Sequence, residues 1–339
     1  MGTPSQPLRI GILGAANIAR LFVSGVRGSA KVRVEALASR DAGRAKAFAG
    51  EMGIPRVHAT YEALLADPAI DAIYNPLPNN LHAEWTIRAA DAGKHVLCEK
   101  PLASTGAEAK TMFEAARRNS VYVVEGYPYR AQPQTIRLAE LLREGAIGRP
   151  QLVHASFGFP LSDPSNIRMN PALAGGSLMD AGSYPVSLAR MIAGERPARV
   201  HAIARIARTG VDRTVVGSLE FGSGLLAQIA CSFATARHRR ASIVGETGLI
   251  ETTYYNDTSP AMPPTLFVRR GVGYDAPHET IECAAVVGFL AEAEAFHALV
   301  RGGWDRWPGA TPEESVDIML TIDAFAASIR TGMPVAVAA

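Results

Sequence analysis

Over the first 125 or so residues, short apolar runs alternate with longer stretches whose apolar positions recur at helical spacing. Leu8–Leu13 reads as a strand, and Ile18–Val26 as the helix behind it. Val32–Ala38 and a helix from about Ala42 to Met52 repeat the unit, and Val57 with Tyr61–Ala66 makes a shorter one ending at Asp67-Pro68. Ile70–Tyr74 pairs with a helix His82–Asp91, which Gly93 closes at C′. His95–Cys98, a helix from about Thr105 to Asn119 and the strand Val121–Glu125 complete the series. Strict alternation of strand and helix predicts a parallel sheet covered on both faces.

The rhythm changes after about residue 127. A helix near Thr135–Glu144 and the turn Gly148-Arg149-Pro150 lead into strands with no helices between them: Leu152–Phe159, Val200–Ala207, Val215–Phe221, Leu225–Phe233 and Ala241–Val244. Phe221-Gly222-Ser223-Gly224 reads as a hairpin turn, because glycine supplies the positive φ of tight connections. Thr252–Glu282 is rich in Pro, Gly and Thr and reads as loop with one strand at Thr265–Arg270. Helices at about Phe289–Val300 and Glu313–Arg330 close the chain. The expectation is an α/β protein of two domains. Residues 1–127 form a doubly wound parallel sheet, and residues 128–339 an α+β unit with a large, mostly antiparallel sheet for substrate binding and oligomerisation.

The 339-residue length suits two domains, and the apolar and charged fractions are those of a globular protein. The formal net charge is +2, and the densest basic run, Arg237-His238-Arg239-Arg240, reads as a solvated strand end rather than a nucleic-acid patch. Cys98, Cys231 and Cys283 are isolated, which argues against a disulfide framework and against a zinc site, and the histidines lack metal-ligand spacing. Met1–Pro7 lacks the features of a secretory signal, and no apolar run is long enough to span a bilayer. A cytoplasmic protein with neither membrane nor nucleic-acid partner is expected.

Candidate chemistry begins at the first strand–helix turn. Gly11 and Gly14-x-Ala16-x-x-Ala19 follow the strand and open the helix, where a dinucleotide site needs a tight turn and free N–H groups for a pyrophosphate. Gly11, Gly14, Ala16, Asn17 and Ile18 are therefore candidate cofactor contacts in a Rossmann-type domain. The second strand ends in Ala38-Ser39-Arg40-Asp41. Ser39 and Arg40 suit a 2′-phosphate, whereas Asp41 is either the ribose-binding carboxylate of an NAD site or the N-cap of the next helix. Reading Asp41 as the cap makes NADP(H) the expected cofactor over NAD(H).

Three further segments are Glu99-Lys100-Pro101, Glu125-Gly-Tyr-Pro-Tyr-Arg130 and Gly175-Gly-Ser-Leu-Met-Asp180-Ala-Gly-Ser-Tyr184-Pro. With the glycine turn, they resemble the glucose–fructose oxidoreductase / inositol dehydrogenase (Gfo/Idh/MocA) family along essentially the whole chain. Arg168 and the run from Gly175 to Pro185 are most similar to the branch of dihydrodiol dehydrogenases and NADP-dependent xylose dehydrogenases. Many relatives carry His where this chain has Tyr184, which argues against an inositol substrate. Hydride exchange with an alcohol needs a group to move the hydroxyl proton, and a phenol needs a nearby cation to favour its phenolate. Tyr184 is thus the expected proton-transfer residue. Lys100 would orient the substrate hydroxyl and lower the Tyr184 pKa, and Asp180 would orient the substrate or Lys100. Asp180 and Tyr184 share a helix face only if Gly182 does not break the helix.

The resemblance further implies cofactor contacts from Leu77, Pro78, Asn79, His82, Glu99 and Lys100, and substrate contacts from Arg168 and Arg130. His82 could equally be structural, and Tyr127 and Tyr129 read as packing residues. The expected activity is NADP-dependent oxidoreduction of a CH–OH or C=O group of a sugar or cyclic diol, in a homodimer or homotetramer. A non-catalytic NADP-binding regulator and a nicotinamide-using glycosidase of the same fold are the alternatives.

Overall fold

The computed structural model describes residues 6–259 and 261–338. The leader reading of the N-terminus therefore falls largely on residues 1–5, outside the described residues. In chain order the first unit contains β1 (Leu8–Leu13), α1 (Asn17–Val26), β2 (Val32–Ala38), α2 (Ala42–Met52), β3 (Arg56–His58) and α3 (Tyr61–Leu65). It continues with β4 (Ala72–Asn75), α4 (His82–Asp91), β5 (His95–Glu99), α5 (Gly106–Arg118) and β6 (Val123–Gly126). These strands form one six-stranded sheet in the order β3-β2-β1-β4-β5-β6, with every pair parallel. The order reverses between β1 and β4, and a doubly wound sheet binds its ligands outside the carboxyl ends of the strands at such a switch.

The central strands β1, β4, β5 and β6 are buried on both faces, whereas β2 carries Arg33 and Glu35 and the edge strand β3 is partly exposed. Ile10 and Ile12 pack into one cluster with α1 and α2, while Leu13, Ile73 and Val96 belong to the other. The first cluster also takes Phe289, Ala293, Phe296 and Leu299 from α8 (Gly288–Gly302), near the far end of the chain. Residues beyond 127 thus complete the first core.

The second unit contains α6 (Pro133–Arg143), β7 (Pro150–Gly158), α7 (Ser183–Ala193), β8 (Pro197–Ile206), β9 (Asp212–Phe221), β10 (Leu226–Ser232) and β11 (His238–Gly245). After these come β12 (Gly248–Thr252), β13 (Thr265–Arg270), β14 (His278–Glu282), α8, α9 (Pro312–Thr331) and β15 (Val335–Ala336). Its nine strands run in the order β14-β13-β12-β11-β7-β10-β9-β8-β15, antiparallel except where β7 meets β10. The hairpin between β9 and β10 is as expected: Gly224 has φ 91°, and its N–H donates to Phe221 O at 3.0 Å.

Strand alternation sorts the side chains of this sheet into two faces. One cross-strand row reads Arg239, Phe157, Cys231 and Val215 and is buried; the adjacent row reads Arg240, Ser156, Ala230, Val216 and Ile203 and faces outward. The basic run at 237–240 is therefore divided. Arg240 is solvated, but Arg239 is only 6% exposed, which corrects the reading of the run as a solvated strand end. The stretch 252–282 also holds one strand more than expected. β14 is a polar, mostly exposed edge strand, so it lacks the apolar alternation that would have marked it.

Candidate active site

A cleft of about 1050 Å³ runs from the carboxyl ends of β1 and β2 to the inner face of the large sheet, a size usual for ligand sites. Its first end is built by Gly14, whose φ of 86° lets the chain leave β1 and turn into α1 while its N–H donates to Ala38 O at 2.7 Å. Ala16 stands at the N-cap of α1 without a side-chain cap, and Ala16, Asn17 and Ile18 line the cleft beside the helix N-terminus. Gly11 does not reach the cleft. Its missing Cβ would lie 2.9 Å from Leu64 Cδ1, so this glycine serves close packing of the segment after β3 and is no cofactor contact.

Ser39 and Arg40 line the cleft at the end of β2. The Asp41 carboxylate accepts the N–H of Arg44 at 2.9 Å and caps α2, as expected, although Asp41 also borders the cleft. Arg44 joins Arg40 there, one turn into α2, a position the strand-end motif does not reveal.

The middle of the cleft is walled by Leu77, Pro78 and Asn79. Asn79 Nδ2 donates to Ala174 O at 2.9 Å and so ties the segment after β4 to the wall of the second unit. His82 is 1% exposed, with Nε2 2.7 Å from Leu77 O and Nδ1 2.9 Å from Pro101 O. Burial lowers its pKa, against the pull of those two carbonyls. Because both ring nitrogens already face backbone oxygens, His82 braces the Leu77 and Lys100-Pro101 segments and has no nitrogen left for a ligand.

At the deep end, Lys100 follows directly on β5. Its ammonium donates to Asp180 Oδ1 at 2.7 Å and to Asp180 O at 3.2 Å, and lies 5.1 Å from the centroid of the Tyr184 ring. Two of its three N–H donors are therefore engaged, and one remains. Burial opposes the charge on Lys100, but Asp180 outweighs it and holds the group above the usual lysine range. Arg168 Nε lies 2.9 Å from the other oxygen of Asp180, as an ion pair whose N–H is not aligned for a hydrogen bond. Burial alone would raise the Asp180 pKa; the two cations reverse this and bring it to about 2. Glu99 accepts from Tyr74 Oη at 2.5 Å, and burial pushes its pKa up.

Asp180 and Tyr184 both face the cleft from one continuous helical path. Leu178–Gly182 forms a single π-helical turn before α7, and both side chains line the cleft. Gly182 does not break the helical path. It permits contact with β10, since a Cβ there would lie 3.0 Å from Cys231 Sγ. The paired glycines have separate roles. A Cβ on Gly175 would meet Arg168 O at 2.5 Å, and one on Gly176, at φ 122°, would meet Asp212 Oδ1 at 2.3 Å. Asp212 in turn accepts from Ser177 Oγ at 2.6 Å and Leu178 N at 2.7 Å, which fixes the start of the turn. Tyr127 and Tyr129 are fully buried, with rings packed on Tyr184, as expected of packing residues. Arg130 is a correction. It is buried against Glu314, with Nη2 3.2 Å from Oε2 and 3.4 Å from Gly309 O, and fastens the segment after β6 to the start of α9, away from the cleft.

Comparison with known families matches residues 8–127 to "Oxidoreductase family, NAD-binding Rossmann fold" and residues 135–251 to "GFO/IDH/MocA C-terminal domain". The chain belongs to the Gfo/Idh/MocA family. This oxidoreductase is 39% identical to D-xylose 1-dehydrogenase (NADP(+)) 2 of Haloferax volcanii, over 97% of this chain and 99% of that one. It is 31% identical to trans-1,2-dihydrobenzene-1,2-diol dehydrogenase of Danio rerio, over 86% and 92% of the two chains. Among solved structures, a 3-ketoreductase from Actinomadura kijaniata in complex with NADP and TDP-benzene superposes with a TM-score of 0.85 at 31% identity, covering 95% of this chain and 98% of that one. The family and the branch expected from the sequence are thus the ones found, and the Gfo/Idh/MocA chain is an NAD(P)-dependent oxidoreductase.

Two residues of this oxidoreductase that sequence reasoning passed over sit against Tyr184. The Arg239 guanidinium stacks on its ring at 4.1 Å, and Asn256 Nδ2 donates to its hydroxyl oxygen at 2.9 Å. The only sequence signal was that Arg239 lies at the same strand parity as core positions of β11, such as Ala241 and Ile243. Asn256 comes from an irregular segment with no pattern to read.

Proposed function

We propose that the protein is an NADP-dependent dehydrogenase or reductase acting on a CH–OH or C=O group of a sugar or cyclic diol, with Tyr184 as the proton-transfer residue and Lys100 as its cationic partner. The observation that carries this reading is the deep end of the cleft, where Lys100, fixed by Asp180, lies over the Tyr184 ring. The residues present fit NADP(H). An uncapped helix N-terminus faces the cleft for the pyrophosphate, and Arg40 after β2 and Arg44 in α2 line it for the 2′-phosphate, while the neighbouring Asp41 carboxylate caps α2. The similarity to a D-xylose dehydrogenase and a trans-dihydrodiol dehydrogenase points to the same substrate class.

NADP(H), when bound, supplies the hydride acceptor or donor. The chain's part is the proton. In oxidation, the substrate hydroxyl would sit between Tyr184 Oη and the remaining N–H of Lys100, and its proton would pass to the Tyr184 phenolate as the carbonyl forms; in reduction the Tyr184 phenol would return it. Asp180 keeps Lys100 charged and in place, and Arg168 adds a second cation at the substrate side. Residues 1–127 hold most of the cofactor and residues 128–339 most of the substrate, and the open face of the large sheet pairs two copies of the chain.

The test follows nicotinamide absorbance with NADP⁺ across aldoses, inositols and trans-dihydrodiols. Tyr184→Phe is expected to keep NADPH affinity and lose at least about 10²-fold in turnover, and Lys100→Ala to be similarly damaged. Near-wild-type turnover in Tyr184→Phe would sink the assignment. Cofactor binding without any net absorbance change on all substrates would favour a regulator or a nicotinamide-using glycosidase instead.

A further inference from the structure

We propose that Asn256, oriented by Arg239, is a positioning residue that directs the Tyr184 hydroxyl proton toward the substrate. This rests on the reading of Tyr184 as the proton-transfer residue. Arg239 points from β11 into the cleft wall, its guanidinium carbon 3.9 Å from the Phe157 ring centroid and 4.1 Å from that of Tyr184. Its Nη1 donates to Tyr254 O and to Asn256 Oδ1, both at 2.9 Å. Arginine has only donors, so the amide atom it faces must be the oxygen, and the amide nitrogen is then the atom turned to Tyr184. That nitrogen donates to Tyr184 Oη at 2.9 Å.

A phenol oxygen has one hydrogen and two lone pairs. Since it accepts from Asn256, its own hydrogen cannot point there and is left for the cleft. The same N–H remains a donor when the proton has gone, and a hydrogen bond to a charged acceptor is stronger than one to a neutral acceptor. One contact thus serves both halves of the proton transfer. Asn256 is also held through its backbone: its carbonyl accepts from Gln132 Nε2 at 2.5 Å, and the neighbouring Asp257 carboxylate accepts Gly288 N at 2.8 Å at the start of α8. A Cβ on Gly288 would lie 1.9 Å from Asn256 O, so α8 can sit against this segment only with glycine there.

The charged and titratable groups around Tyr184 come from several elements, while β7 presents only the Phe157 ring. Lys100 arrives from the end of β5 and Arg239 from β11; Asp180 belongs to the preceding turn and brings Arg168 with it. Tyr127 and Tyr129 meet the ring from the segment after β6. Among the described residues Arg239 has no carboxylate partner, unlike Lys100 and Arg168, so its charge is directed at the rings and at Asn256.

The experiment measures kcat/KM for substrate oxidation against pH in the full-length enzyme, for Asn256→Ala and Asn256→Asp, each in wild-type and Tyr184→Phe backgrounds. Expected for Asn256→Ala are a loss of about tenfold or more, the acid limb of the profile displaced about one unit upward, and unchanged NADPH affinity. In the Tyr184→Phe background the same change should have no further effect. Asn256→Asp preserves size but offers an acceptor instead of a donor, and should displace the limb at least as far, which keeps the test decisive if the alanine variant is poorly folded. A profile in its wild-type position for either folded variant, or an equal loss in both backgrounds, overturns the proposal. If instead Tyr184→Phe itself turns over normally, the underlying reading of Tyr184 has failed, and that outcome is told apart by the single variant alone.

Discussion

Asp41 and Asp180 are both carboxylates at the cleft, and their partners assign them opposite tasks. Asp41 turns its oxygen to a helix N–H and leaves the end of β2 to Arg40 and Arg44. Replacing Arg40 by Asp should therefore weaken NADPH binding by roughly tenfold or more and leave NADH binding nearly unchanged, since a charge-assisted bond to phosphate is lost in one case only. Fluorescence titration with both cofactors checks this; an equal fall would mean that Arg40 does not read the 2′-phosphate. Asp180 is ionised across the working range, because its two cations hold its pKa at about 2 from an ordinary 3.8. Its contribution to stability is present above the unfolded value and is lost only as pH falls through that window. At this scale the sequence was legible where a side chain's position follows from its place on an element, as with Lys100 after a strand and Asp41 before a helix. It was misleading for Arg130, whose side chain turns to Glu314, and for Gly11, where the close approach of Leu64 leaves no room for a Cβ.

Elements bring these residues into register, and β6 shows how a buried acid takes part. Glu125 is fully buried near the end of β6, and its carboxyl accepts Leu102 N at 2.9 Å, which holds the turn that carries Lys100. Burial raises its pKa from 4.5 to about 7. Between those values the folded chain keeps a proton that the unfolded chain has released, so stability falls as pH rises through the window and levels off above it. The contribution is at most about 3 kcal/mol. Glu125→Gln keeps the acceptor and removes the titration, so its melting temperature should decline less between pH 5 and 8 than that of the wild type. Parallel declines would place the pH dependence elsewhere. The parallel sheet was readable because short apolar strands alternate with helical stretches, and the π turn was not, because Gly182 marks a close approach to β10 that only the tertiary structure supplies. For the same reason the polar edge strand β14 and the Asn256 segment left no periodic trace, and the site was legible from the cofactor side and the Tyr184 run but not from the wall behind the tyrosine.

On the scale of the whole molecule, the large sheet has one face committed and one open. The inner face carries Phe157 and Arg239 to the cleft, and Ala202 N donates to Ser328 Oγ of α9. The outer face presents Ile203, Val216 and Leu226, exposed by 68%, 46% and 51%. Ile203 and Val216 are direct cross-strand partners, and Leu226 lies on the same face four residues along β10 from Ala230, the partner of Val216. A mixed apolar and polar surface of this kind is suited to pairing with itself around a two-fold axis, where each residue meets its own surroundings on the other copy. A stable pair needs about 800 Å² from each partner. The chain should therefore sediment at two or four times its 36.0 kDa mass at micromolar concentration. Val216→Glu with Leu226→Glu would set like charges against each other across the axis and should reduce the assembly to smaller units. Because the cleft lies on the opposite face, those units should bind NADPH as the wild type does, with a lower melting temperature once the shared burial is gone. A wild-type monomer at these concentrations, or a double variant that sediments unchanged, would remove this face as the interface.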